Sequence, residues 1–357
     1  MRTSEAARSH MTRRLFLGAG AAGAMSATAG PAFAQQSAPA PPAPRIKGPP
    51  VWLDMDQAEL DAAYNQSVYA PNLQQVVKRW ATNSDAVRAR LGAPQRYAYG
   101  SNPIEGLDIY RTQRPNAPIN LSIHGGEWRL GLAKGWAFAA ELFVHAGAHF
   151  VVPDFAWAQD VGGNLMILAD QVRRAVAWVH GNAQRFGGDR NRIYVSGHSS
   201  GGHLAGVILT TDWRKDFNLP VDTVKGGLCS SAMYDLKPVC LSARRQYLAC
   251  TDEIENALSP QRHLDKLNAP VVVTYGALES PEFQRQSRDF AAAVQAAGKR
   301  VQLLVGEGYN HFEIIETLGN PYGVLGRAML EQMQLAKDMT RAAVGEPGVS
   351  DRAHAEL

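Results

Sequence analysis

Apolar residues recur along this chain at two spacings. Short apolar runs at residues 119–123, 151–155, 192–196, 224–229, 270–276 and 301–305 have the length and the valine, isoleucine and leucine content of strands. Between such runs the spacing changes. From 165 to 186, Ile167, Val172, Ala175, Val176 and Val179 recur with a helical period and make one apolar face. Strand-like and helix-like segments alternate. That order predicts an α/β chain with a mostly parallel central sheet flanked by helices on both faces. The first two strands, at 96–99 and 107–111, lie close enough in sequence to pair antiparallel. Upstream, residues 55–90 read as helical and suit either part of a lid or an outer layer on the sheet. Residues 51–340 are enough for one large domain around a single core, with 341–357 as a flexible tail.

Composition changes the picture at the N-terminus. Arg13-Arg14 precedes Leu15-Phe16-Leu17, an Ala/Gly-rich stretch follows, and Ala32-Phe33-Ala34 stands before Gln35. These parts, in this order, predict a twin-arginine signal peptide over 1–34. The export machinery is then a partner, and the mature protein is periplasmic or secreted. Residues 35–50 are Pro/Ala-rich and read as a linker. No later run approaches the ~18 apolar residues of a membrane span, so no stable membrane anchor is expected. The net charge is only +3, which leaves no electrostatic footprint for nucleic acid. There is no internal repeat, zinc-ligand spacing or dinucleotide fingerprint, and neither metal nor cofactor is expected. The sequence carries no signal of oligomeric state. Cys229 lies in an apolar strand and reads as a buried small hydrophobe. Cys240 and Cys250 flank a short polar segment, and an oxidising compartment allows them to pair near the rim of a pocket.

The candidate chemistry centres on Gly197-His198-Ser199-Ser200-Gly201, which follows the strand-like 192–196 and precedes a small-residue helix start. Strand, sharp turn and helix give a G-x-S-x-G segment the context of a nucleophile elbow in an α/β-hydrolase. Ser199 is the candidate nucleophile. A strand also precedes His124-Gly125-Gly126, the type of loop that supplies oxyanion N–H groups. Gly125 or Gly126, with Ser200, are the candidate donors. A serine needs a base, and His311 follows the last predicted strand, downstream of serine and acid. His145, His149, His180 and His263 read as lying in or beside helices, away from strand ends. His198 and His203 read as packing around the elbow. Glu279, just past the strand 270–276, is the candidate acid. Its rivals are Glu282, which Pro281 would carry into a helix, and Asp235, whose plainer reading is a turn or cap.

These blocks resemble the kynurenine formamidase (arylformamidase) family of α/β-hydrolases over roughly residues 53–339. Four segments carry the likeness: residues 60–65, the His124-Gly125-Gly126-Glu127-Trp128 block, the elbow, and residues 279–287 together with 310–316. The resemblance implies that Ser199 is nucleophile, Glu279 acid and His311 base. Two positions depart from the family. Glu279 stands where Asp is usual. Glu127 stands where an aromatic is usual, and its carboxylate either repels anionic substrates or points to solvent. Glu127 and Trp128 are candidate substrate-pocket residues. Trp128, Trp136, Phe155 and Trp157 read either as lining of the pocket mouth or as core. The expected function is an exported serine hydrolase that cleaves a carboxylic ester of a small molecule through an acyl-enzyme. The alternative is an arylformamidase or amidase acting on N-aryl formamides or amides. A non-catalytic binding protein on the same scaffold is the third reading. None of the three calls for a cofactor.

Overall fold

The computed structural model describes residues 45–336, and the chain from Lys47 onward is one unit. The expected signal peptide, most of the linker and the tail lie outside the described residues.

Eight strands form one sheet: β1 (Gln95–Ala98), β2 (Gly106–Tyr110), β3 (Ala117–Ile123), β4 (His149–Pro153), β5 (Gly188–His198), β6 (Val224–Ser230), β7 (Val271–Gly276) and β8 (Val301–Gly306). Their order is β1-β2-β4-β3-β5-β6-β7-β8. β1 and β2 pair antiparallel, with Gln95 opposite Ile109, as the short connection predicts. β2 also runs antiparallel to β4. Every pairing from β4 through β3 to β8 is parallel. Mostly parallel sheets are buried on both faces, and β3 is buried at all seven positions.

Alternation along each strand decides which core a side chain joins. Val151, Val195, Cys229 and Val273 enter one hydrophobic cluster. Their neighbours Val152, Tyr194, Leu228 and Val272 enter the other, on the opposite face. Each fully buried aliphatic side chain adds about 1.5–3 kcal/mol relative to exposure. The first cluster is covered by α4 (Leu165–Asn182) and α5 (Ser200–Leu209), through Leu168, Val172, Val176 and Leu204. Asn164 caps α4 by accepting the Met166 N–H. The predicted apolar face of α4 holds except at Ile167, which is 39% exposed. Cys229 is buried as expected, and burial pushes its thiol up to about 12.

His149 departs from its helix-adjacent assignment. It opens β4, where its Nδ1 accepts the Thr112 N–H at 3.3 Å. This is the N-terminal end of the strand, away from the elbow at the C-terminal end of β5. The helical stretch predicted over 55–90 resolves into α1 (Gln57–Ala63), a 3-10 turn at Gln66–Tyr69, and α2 (Leu73–Leu91). A capping box at Asp56 and Glu59 starts α1. The short helix Ala140–His145, here α3, packs beside β4 through Phe143 and Phe150, whose rings lie 5.1 Å apart.

Candidate active site

Ser199 occupies the turn between β5 and α5 at φ 58°, ψ −127°. A non-glycine residue there costs roughly 1–3 kcal/mol, which the surroundings must hold. The Ser199 N–H donates to the Ser230 carbonyl at 2.9 Å, and its own carbonyl accepts the His203 N–H at 3.0 Å. Gly197 and Gly201 let the turn close. A Cβ on Gly197 would strike the Gly201 carbonyl, and one on Gly201 would strike the carbonyls of Ile123 and His124. The elbow is therefore pressed against the tip of β3, from which the His124-Gly125-Gly126 loop departs. A Cβ on Gly125 would lie 2.9 Å from the His198 carbonyl and 3.3 Å from Ser199 Cβ.

Glu279 stands just beyond the tip of β7, and His311 lies in the loop after β8. His311 Nδ1 is 3.1 Å from Glu279 Oε2, and its Nε2 is 3.0 Å from Ser199 Oγ. A carboxylate only accepts, so Nδ1 carries the proton and donates to Glu279. Nε2 is then free to accept the Ser199 hydroxyl. The other Glu279 oxygen, Oε1, accepts the Gly276 N–H and the Ser231 hydroxyl, each at 2.6 Å. Phe283 and Phe312 present edge-on to the His311 ring at 5.2 and 5.1 Å. The rivals for the acid are occupied elsewhere. Asp235 accepts from the Lys237 N–H and from Arg262. Glu282 accepts from Tyr64 and Arg285.

The two histidines beside the elbow divide in role. His203 is packing, as expected. Its Nε2–H donates to the Leu258 carbonyl at 2.7 Å, and its Nδ1 accepts the Trp128 indole N–H at 3.1 Å. Burial holds the His203 imidazole down at about 4. His198 does more than pack. It borders the cavity, and its Nε2–H donates to the His311 carbonyl at 2.8 Å, which fixes the His311 loop. Burial, then the His311 charge, push its titration well below the ordinary range, so His198 stays neutral.

The N–H groups of Gly125, Gly126 and Ser200 make no hydrogen bond among the described residues. Gly125 and Gly126 line the cavity, and Ser200 opens α5, where first-turn N–H groups have no intrahelical partner. These groups are placed to receive negative charge beside Ser199. The loop continues through three consecutive positive-φ residues, Gly126, Glu127 and Trp128. That left-handed run sends the two side chains apart. Glu127 lines the cavity. Trp128 does not. Its ring turns inward, is 1% exposed and bonds His203, so its candidacy as a substrate-pocket residue is corrected. Phe155 is also core, stacked on His124 at 4.2 Å. Trp157 anchors the loop by donating to the Gly131 carbonyl. Of the four aromatics only Trp136 lines the cavity that holds Ser199, against Trp80 of α2 at 5.3 Å.

That cavity, about 850 Å³, is lined by Ser199, His198, His311, Gly125 and Gly126 on one side. Gln66, Leu73, Val77 and Trp80 line the other, so residues 65–81 form a wall rather than a distant outer layer. The same segment holds the loops that carry Glu279 and His311. Asn72 bonds both Asn310 and Glu313, and Gln66 bonds Ser280. Cys240 and Cys250 form a disulfide with a Cα–Cα distance of 5.5 Å, and the loop between them contributes Arg244 to the cavity lining. Ser231, Gln66, Asn72 and Arg244 escaped sequence reasoning. Ser231 directly follows a strand and carried a weak signal; the others reach the site only through tertiary docking. No group of metal-ligating residues occurs among the described residues.

The chain is similar to several known proteins. The BD-FAE family model matches residues 107–235, from β2 through the elbow to just past β6. Kynurenine formamidase of Salmo salar is 30% identical over 296 residues, covering 79% of this chain and 98% of that protein. Kynurenine formamidase of Danio rerio is 28% identical, with the same two coverages. Among solved structures, the metagenomic carboxylesterase EstE1 superposes with a TM-score of 0.57 at 19% identity, covering 74% of this chain and 96% of EstE1, a likeness of fold. The chain is a hydrolase, and it belongs to the kynurenine formamidase family of α/β-hydrolases.

Proposed function

We propose that the protein cleaves a carboxylic ester of a small molecule through a Ser199–His311–Glu279 triad and an acyl-enzyme. The observation that carries this reading is the unbroken relay from Glu279 to Ser199, 3.1 and 3.0 Å, opening onto a mostly apolar cavity. Ser199 Oγ attacks the substrate carbonyl carbon as its proton passes to His311 Nε2. The carbonyl oxygen becomes an oxyanion that the N–H groups of Gly125 or Gly126 and Ser200 receive, each donor worth about 3 kcal/mol by analogy. Glu279 keeps the imidazole oriented and offsets its new charge. The C–O bond to the alcohol breaks, and His311 returns its proton to the leaving oxygen. Water then attacks the acyl-serine carbonyl, giving its proton to His311. The acid departs and the proton goes back to Ser199 Oγ.

The same residues suit an N-aryl formamide, where His311 protonates a leaving aniline nitrogen. Full-length likeness to two proteins named kynurenine formamidase favours that second reading. An ester asks less of the site, because an alkoxide or phenoxide leaves more easily than an unprotonated anilide nitrogen. Turnover of p-nitrophenyl acetate beside N-formylkynurenine separates the two, and much faster formamide cleavage would reverse the preference. Export through the twin-arginine route is part of the proposal. The Arg13-Arg14 leader pattern supports it, as does the Cys240–Cys250 bond, which suits an oxidising compartment. Fractionation of cells expressing the full chain tests it: mature protein starting near Gln35 is expected outside the cytoplasm, and uncleaved cytoplasmic protein would refute it.

A further inference from the structure

We propose that Arg244 is a specificity-determining residue that receives a carboxylate carried by the substrate. The inference rests on the hydrolase reading and names the chemistry its substrate should have. Arg244 sits on the 3-10 turn Ala243–Gln246, inside the loop closed by Cys240–Cys250. It lines the same cavity as Ser199 and is only 6% exposed. A buried guanidinium normally has its donors answered. This one does not. Nη2 donates to the Tyr64 carbonyl at 2.9 Å. Nη1 is buried beside the buried Tyr247 hydroxyl, and the two reach each other only with poor hydrogen-bond geometry.

The one carboxylate nearby does not fill that role. Glu127 Oε1 lies 3.8 Å from Nη2, outside hydrogen-bond range, while its other oxygen is held by Arg129 at 2.7 Å. Glu127 therefore competes for Arg244 only as an ion pair at 3.8 Å, and its charge is offset mainly by Arg129. The charged residues lining the cavity are Lys78, Arg129 and Arg244 against Glu127 alone, a positive excess. The guanidinium is also pre-placed. It lies over the Tyr64 and Trp128 rings at 5.7 and 5.6 Å, and the Ala249 N–H ties the loop to the Gly163 carbonyl. A fixed, desolvated, incompletely satisfied arginine in a positive cavity is the arrangement that gains most from a carboxylate. Arg244 touches no reacting atom in this account; it selects which substrates dwell near Ser199.

Two readouts test it. The first is the ratio of kcat/KM for mono-p-nitrophenyl succinate to that for p-nitrophenyl valerate, a neutral counterpart of similar size. Arg244→Met should lower this ratio about 10–100-fold, and Arg244→Lys should lower it less. Glu127→Gln should raise it, because it removes the competing negative charge. The second is calorimetric binding of benzoate against benzamide, which needs no turnover: benzoate should bind the parent protein tighter, and Arg244→Met should erase the difference. A folded Arg244→Met protein whose ratio shifts less than about twofold, with benzoate preference intact, overturns the inference. If Arg244→Met does not fold, an unchanged ratio in both Arg244→Lys and Glu127→Gln overturns it instead. Labelling by a fluorophosphonate keeps the two proposals apart. No Ser199 adduct would sink the hydrolase reading, while the benzoate comparison would still decide the role of Arg244.

Discussion

The two sides of the cavity are built by different means. Ser199, Glu279 and His311 stand on or just past the ends of β5, β7 and β8, parallel strands whose register is fixed by cores on both faces. The facing wall is made by residues 65–81 and by the disulfide-closed loop that carries Arg244, neither of which is a strand of the sheet. Position on the sheet side follows from backbone pairing. Position on the wall side follows from a few long-range bonds, such as Asn72 to Asn310 and Gln66 to Ser280. Under the proposed mechanism the contrast is a division of labour, with reactivity on the sheet side and choice of substrate on the wall.

Changes to the triad should give the largest effects and leave folding alone. Ser199→Ala should reduce ester turnover by roughly 10⁶-fold. Its melting temperature should match the parent or exceed it, since a buried hydroxyl is removed without loss of packing. Glu279→Gln should cost about 10⁴-fold, because the amide favours the wrong imidazole tautomer. Steady-state assays with calorimetric melting check both. A marked fall in stability without loss of turnover would mean that these residues belong to the framework.

The same contrast explains what was legible in the sequence. The strands, the elbow, Glu279 and His311 could be read because sheet topology ties function to short local patterns, a turn after a strand at a known place in the order. The wall could not. Nothing local to Arg244 marks it: it is one of two adjacent arginines in a polar segment, and docking against Tyr64 and Trp128 buries it. Trp128 misled for the complementary reason. Its place beside the oxyanion glycines suggested the pocket, but the positive φ at Glu127 and Trp128 turns the ring into the core. His149 was misplaced because β4 begins two residues earlier than its apolar run suggests, so the residue before Phe150 already belongs to the strand.

Acid should strain the sheet side through its buried histidines. Burial holds His203 at about 4 in the native protein, against about 6.5 in an unfolded chain. Below pH 6.5 the unfolded chain takes up a proton that the native one refuses. Stability is therefore full above 6.5 and falls as pH drops toward 4, by on the order of 3 kcal/mol for this group. Burial lowers His124 and His198 as well, adding loss in the same direction. Melting temperatures from pH 8 to 4 should trace this decline. His203→Gln, which can still accept from Trp128 and donate to Leu258, should flatten it; an unchanged slope would place the acid sensitivity elsewhere.

The wall should respond to the disulfide. Opening a loop of this length, with 10 residues of sequence separation, removes about 3 kcal/mol by the chain-entropy argument. Replacing Cys240 and Cys250 by Ser should lower the melting temperature and loosen the segment that holds Arg244. Fluorophosphonate labelling of Ser199 should continue at a similar rate, because the relay does not pass through that loop. Loss of labelling in the folded double variant would show that the two sides are not separable.

Ser231 offers the finest test, because it lies on the sheet side yet touches no reacting atom. It follows β6 at φ 53°, and its N–H donates to the Thr274 carbonyl at 2.7 Å. Its hydroxyl gives Glu279 Oε1 one of two donors, the other being the Gly276 N–H. Ser231→Ala leaves the second donor and the contact with His311 intact. The carboxylate is held less firmly but still faces the imidazole, so the expected loss is about tenfold in kcat, with KM little changed. Ser231→Thr keeps the hydroxyl and should recover part of that loss. The proposed role of Ser231 is to aim Glu279, so the pH–rate profile should keep its shape while its height falls. A loss that appears in KM instead would mean that Ser231 shapes the cavity rather than the triad, and the boundary between the two sides would have to be redrawn.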